Sequence, residues 1–172
     1  MNSDADAEPP DPMAVRAVAL QKVLEQDFPA IERGINDFLA LRGGMVAATA
    51  AVRGAIEALR RHIYVEHEFV LPPLQRAGKN GPVVAMSSDH LELWRTMDEM
   101  EQSLADGSSP KTQQQTCQIL RAELDQHMSR EDPIVFRHVA EVLTAQDEDD
   151  LRDGIENAVL PPGWVCSDVR TE

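Results

Sequence analysis

The sequence predicts an all-α protein: an antiparallel up-down-up-down four-helix bundle with a short C-terminal fifth helix. Three observations predict it. Aromatic residues make up only 4% of the chain while Ala, Leu, Glu and Gln are plentiful, a balance that favours helix over strand. Apolar residues recur at alternating spacings of three and four along long stretches, the signature of a helix with one buried face, and no stretch alternates with period two. Short turns rich in Gly and Pro separate these stretches, which makes consecutive helices antiparallel neighbours.

Taken in order, residues 1–11 carry no periodicity and are expected to form a disordered tail, ended by Asp11 as a helix cap and Pro12 at the first helical position. A first helix is expected from there to about Arg42, with Leu20, Leu24, Ile31, Phe38 and Leu41 on its inner line, Gly34 between them and Asp27 interrupting. Gly43-Gly44 breaks it. The second helix is expected over about 45–71, with Val52, Ile56, Leu59, Ile63, Glu66 and Val70 in one stripe and His62 beside it, ended by Pro72-Pro73 and the loop 78–82. In the third, over about 83–105, the line Met86, His90, Leu93, Met97, Met100, Leu104 makes His90 an inward residue. After the turn 106–110, the fourth carries Gln113, Cys117, Leu120, Leu124, His127, Glu131 and Ile134 inward, with Pro133 expected to kink it before it runs on to about Leu143. A short fifth helix over about 147–159 completes a bundle domain of 12–160, and 161–172 is read as a C-terminal tail.

Composition excludes several functions. At 172 residues the chain suits one domain with a sizeable core. Its net charge of −14, from 30 acidic against 16 basic residues, is the wrong sign for nucleic acid, which is bound by clustered Lys and Arg. No apolar run approaches the roughly 18 residues of a membrane span, and the N-terminal stretch is acidic and Pro-rich, so a soluble, cytoplasmic protein is expected. Two cysteines, Cys117 and Cys166, are too few for a disulfide scaffold and are not spaced as a zinc pair.

The chemistry lies in a repeated pair. His62-x-x-x-Glu66 and His127-x-x-x-Glu131 each set an imidazole and a carboxylate one above the other on a helix face. Counting outward from the turns brings His90 and His127 to nearly the same height, and His62 with them, opposite positions 25–28 of the first helix. A lone inward histidine is more often a hydrogen-bonded core residue than a ligand; three at one height with two glutamates reverse that preference. Buried carboxylates need a counter-charge, and no Lys or Arg lies on these lines, so protons or a cation must supply it. Imidazole with carboxylate suits iron, manganese or zinc, and Glu66 and Glu131 could bridge two metals with the histidines as terminal ligands.

The remaining candidates read as structural. His67 points about a third of a turn from Glu66 and is expected exposed or behind the ligands; His138 lies off the layer; Cys117 sits at a core position; Cys166 yields no reading. The acidic run 147–150 fits a helix N-terminus better than a calcium loop. The ferritin-like Glu-x-x-His signature is absent, as is His-Glu-x-x-His.

Three segments, HIYVEHEFVLPPL, GPVVAMSSDH and HMSREDPIVF, together resemble the second, third and fourth helices of the hemerythrin-like family, the HHE cation-binding domains, over about residues 14–157. The resemblance implies a left-handed four-helix bundle around a non-haem di-iron centre, in a family that carries or senses dioxygen, handles nitric oxide or peroxide, or supplies iron for cluster repair. The matching ligands are His62, Glu66, His90, His127 and Glu131. Two positions depart from the pattern: Phe28 stands where the first-helix histidine is expected, with Asp27 beside it as a substitute carboxylate or a solvent-facing or capping group, and Trp94 stands one turn after His90, where oxygen carriers have a second histidine.

The expectation is therefore a metal-binding protein whose iron centre, di-iron first and mononuclear iron, manganese or zinc as alternatives, meets a small diatomic or peroxide. A bundle that has lost its metal and serves as a binding or regulatory module, by dimerisation for example, is the competing expectation.

Overall fold

In the computed structural model, which describes residues 11–131 and 135–166, eight α-helices form and no strand occurs among the described residues. The helices are α1 (Pro12–Leu24), α2 (Phe28–Leu39), α3 (Met45–Val65), α4 (Leu71–Arg76), α5 (Asn80–Ala105), α6 (Pro110–Glu131), α7 (Arg137–Val142) and α8 (Ala145–Asn157). Helix α2 packs on α3, α3 on α5, α5 on α6, and α6 back on α2, which closes the four-helix ring that the periodicity predicts. Asp11 caps α1 by accepting from the Met13 amide at 3.0 Å, with Pro12 at the first helical position as expected.

The expected first and second helices are each interrupted. A 3₁₀ turn, Glu25–Asp27, separates α1 from α2, where Phe28 donates its amide to the Glu25 carbonyl. The physical reason is Pro29, which has no N–H and is tolerated only in the first turn of a new helix. The second helix does not end at Pro72-Pro73. It passes through a π turn, Glu66–Val70, in which Leu71 donates to the Glu66 carbonyl five residues back, and resumes as α4 with the prolines in its first turn. The kink expected at Pro133, the inward position of Ile134, the extreme of the N-terminal tail and residues 167–172 lie outside the described residues.

Helix α1 crosses to pack on α7 and α8 rather than extending the ring. Arg16 holds it there: its guanidinium donates to the Ala140 carbonyl at 3.0 Å and the Leu143 carbonyl at 2.7 Å, satisfying orphan carbonyls at the end of α7, and it pairs with Glu148. The acidic run opens α8 as expected. Thr144 and Asp147 form a reciprocal capping box, and Arg76 of α4 binds the same Asp147 carboxylate at 2.6 Å.

Two apolar cores result. One, around Phe28, Ile35, Phe38, Ile56, Leu59, Leu93, Met97 and Leu124, fills the ring of α2, α3, α5 and α6. The other, around Leu20, Leu24, Val70, Leu74, Met86, Phe136 and Val139, fills the end where α1, α4, α7 and α8 meet. The buried polar side chains His62, Glu66, His90, His127 and Glu131 belong to neither core.

Candidate metal centre

Three chain segments converge on this polar layer. His62 comes from the last turn of α3 and Glu66 opens the π turn that follows. His90 lies midway along α5, and His127 and Glu131 occupy the last two turns of α6. All five are at most 3% exposed, so the turn-counting that set them at one height corresponds to a real cluster. The π turn is an irregularity of the kind often found at functional sites, and here it starts at a member of the cluster.

Glu66 is the hub. Its Oε1 lies 3.3 Å from His62 Nε2, and its Oε2 lies 2.9 Å from His90 Nε2 and 4.0 Å from His127 Nε2. His127 Nε2 is 3.6 Å from Glu131 Oε2. Close as these atoms are, the Nε2 of all three histidines and both oxygens of Glu66 make no properly aligned hydrogen bond. Leaving so many polar atoms buried and unpaired costs on the order of 1–3 kcal/mol each, which a sequence does not sustain without a purpose at the site.

A cation removes that cost. One donor atom from each of His62, Glu66, His127 and Glu131 lies within 4.8 Å of the other three. Four ligands each about 2.1 Å from one ion stand about 3.4 Å apart in a tetrahedron, so this set closes on a metal with shifts on the order of 1 Å. The nitrogen and carboxylate donors, without a thiolate, suit iron, manganese or zinc. The residues present therefore fit a metal ion.

Electrostatics agree. Burial pushes the Glu66 carboxyl upward, but the adjacent His62 and His90 overcome it and hold it well below the usual carboxylate range. For His62, burial is opposed and outweighed by Glu66, with smaller help from Asp27 and Glu25, so its value is raised. For His127 burial wins, pushing it down to about 3 against the pull of Glu66. An ionised carboxylate and a neutral imidazole are the forms that bind metal, so Glu66 and His127 are ready to ligate, whereas His62 would release a proton on doing so.

Phe28 occupies the fourth side. Its ring centroid is 4.6 Å from that of His62 and 6.4 Å from that of His127. Asp27 turns away from the cluster: its Oδ2 accepts from Arg61 Nη1 at 3.0 Å, and Arg61 also donates to the Ala158 carbonyl at 2.9 Å and to that of Ile155. Of the two readings of Asp27, the outward one holds. Trp94 is buried beside α3, under the Arg60 guanidinium at 5.4 Å from its ring centre.

Beside His127 and Glu131 a small cavity of about 10 Å³ is lined by Ala85, Met86, Asp89, Arg130 and Val135. That is room for about one water. Asp89, buried, pairs across it with Arg130 at 2.6 Å. A far larger groove of about 570 Å³ runs between α1 and α7, and none of its lining residues belongs to the polar layer.

His67 lies behind the cluster, its Nε2 2.9 Å from His90 Nδ1 and 3.3 Å from Cys166 Sγ. His138 lies off the layer, against Glu141. Cys117 is a core thiol whose ionisation burial pushes up to about 12. What sequence reasoning missed is Cys166 with Trp164, which come from the segment read as a tail and pack against His67 and the main core. The only signal was composition: Trp164, Val165 and Cys166 are apolar and follow a Pro-Pro-Gly turn.

No helix among the described residues is long and apolar enough to cross a membrane. Neither the curated proteins nor the solved structures contain a match to the chain. A family model, the hemerythrin HHE cation binding domain, matches residues 19–150 and so takes in every member of the buried cluster. That match spans well over half of the sequence, and the protein belongs to the hemerythrin HHE cation-binding domain family.

Proposed function

We propose that the protein holds non-haem iron through His62, Glu66, His90, His127 and Glu131 and uses it to bind, sense or reduce a small molecule such as dioxygen, nitric oxide or peroxide, or to handle iron. The observation that carries this reading is the convergence of buried imidazole and carboxylate donors on one point, with one donor atom from each of His62, Glu66, His127 and Glu131 within 4.8 Å of the others. Bound iron would supply a coordination position open to an added ligand and electrons to exchange with it. The chain's own part is to fix the donors, keep bulk water out with two apolar cores, and leave beside the centre a space of about 10 Å³, room for a ligand about the size of one water.

With Glu66 within reach of all three histidines, a di-iron centre is favoured, which Glu66 and Glu131 would hold together with the histidines. A mononuclear centre is favoured by a different observation, that the Phe28 ring stands against His62 on a side of the cluster where a further donor would complete a second metal. Metal analysis with optical spectroscopy separates them: protein produced in iron-rich medium holds two iron atoms per chain in the first case and one in the second, with ligand-to-iron charge-transfer bands in both. Protein that takes up none, with folding unchanged when His127 and Glu131 are replaced by apolar residues, belongs instead to a metal-free binding module.

A further inference from the structure

The geometry points to His67 as a positioning residue for His90, held in place by the chain's C-terminal segment, so that residues 160–166 support the metal centre. The inference rests on the metal-centre reading above and extends it to groups that touch no metal.

A histidine that ligates through Nε2 carries its proton on Nδ1, and the group that accepts this N–H fixes the ring's tautomer and orientation. For His90 that group is His67: the two nitrogens are 2.9 Å apart and the ring centroids 5.0 Å apart. When His90 gives its Nε2 lone pair to a metal, its proton sits on Nδ1, and that N–H donates to His67 Nε2. An imidazole acceptor carries no charge of its own, unlike the carboxylate that commonly serves there, and needs help to stay in place.

The help comes from the far end of the sequence. Beyond α8 the chain turns at Pro161–Trp164, where the Trp164 amide donates to the Pro161 carbonyl at 3.0 Å, and runs back over α3 and α5. Trp164 stands edge-on to His67, Tyr64 and Trp94, at centroid distances of 5.8, 5.2 and 5.3 Å. Cys166, fully buried, brings its Sγ to 3.3 Å from His67 Nε2. Trp94, which occupies a position where a further ligand was expected, thus has a structural role: it is the floor against which this segment seats. The line of contact runs from Cys166 to His67, to His90, to Glu66.

The test measures affinity for ferrous iron and for zinc, by competition with a chromophoric chelator, in the full chain and in four variants. Substituting His67→Phe keeps the bulk and removes the acceptor, and should weaken binding by about tenfold or more; His67→Gln, which can still accept, should recover part of that loss. Cys166 meets the cluster through His67, so Cys166→Ala should weaken metal binding in the parent and add nothing to the loss in the His67→Phe background. Metal-free melting curves confirm that each variant is folded. Parent-like affinity in His67→Phe, no recovery in His67→Gln, or losses from Cys166→Ala and His67→Phe that simply add would each overturn the proposal while leaving the metal reading intact. A parent chain that binds neither metal overturns that reading, and this proposal with it.

Discussion

The ring of Phe28 lies 4.6 Å from the imidazole of His62, centroid to centroid, and closes the one side of the polar layer to which no donor is supplied. Phe28 is 2% exposed and belongs to the main core, so it is both a wall of the site and part of the bundle's packing. The two roles can be separated. Substituting Phe28→Ala should cost about 3–5 kcal/mol of stability in chemical denaturation, through lost burial and a residual cavity. Substituting Phe28→His puts an imidazole at the same place and should raise the metal content of the purified protein; unchanged stoichiometry in a folded Phe28→His variant would show that the fourth side does not limit loading.

Bound metal should also be visible as stability. A ligand present at 100 times its dissociation constant adds about 2.7 kcal/mol to the folded state, so stripping metal with a chelator should lower the melting temperature of the parent. The same chelator should do nothing to a His127→Leu, Glu131→Leu double variant, which in turn should melt no lower than the metal-free parent, because it replaces two buried polar side chains by apolar ones of similar size.

Helices α2 and α3 pack closely at Gly34, where an added Cβ would stand 2.6 Å from the Ala51 carbonyl oxygen and 2.8 Å from the Ala55 Cβ. Helix propensity alone makes Gly→Ala stabilising by roughly 1 kcal/mol. Here overpacking against backbone should reverse the sign, with Gly34→Ala destabilising by about 1–3 kcal/mol. Urea titration reads the sign directly, and a stabilised variant would contradict the described approach of these helices.

Stability should depend on acid through Asp147. Hydrogen bonds from the Thr144 amide and hydroxyl, then the Arg76 guanidinium, hold its carboxyl below the usual value. A depressed carboxyl stabilises the fold above its unfolded pKa, about 3.9, and the contribution disappears as pH falls through the lower folded value. Asp147→Ala should therefore cost about 1 kcal/mol at neutral pH, with the gap to the parent closing below about pH 4. A gap of constant size across that range would remove the capping box from the account.

The polar layer was legible because helical spacing converts sequence distance into height: His90 and His127 lie on the inner line of an uninterrupted helical stretch and His62 beside one, and counting from the turns suffices. The breaks were less legible because prolines carry two meanings. Pro29 was overlooked as the start of α2, and Pro72-Pro73 read as a stop where they open α4 after a wider turn. Cys166 gave no reading because nothing local fixes it; its place depends on a chain reversal at Pro161–Trp164 and on partners about a hundred positions earlier. Asp27 stayed undecided because the residue that claims it, Arg61, lies on another helix.

The most direct test of the central claim, that the cluster around Glu66 is a metal centre, is the metal content of protein produced without an affinity tag in iron-rich medium. The account predicts one to two iron atoms per chain, lost when His127 and Glu131 are replaced by Leu with the helical fold retained. Parent protein that purifies folded and metal-free, and takes up neither iron nor zinc on reconstitution, would contradict it.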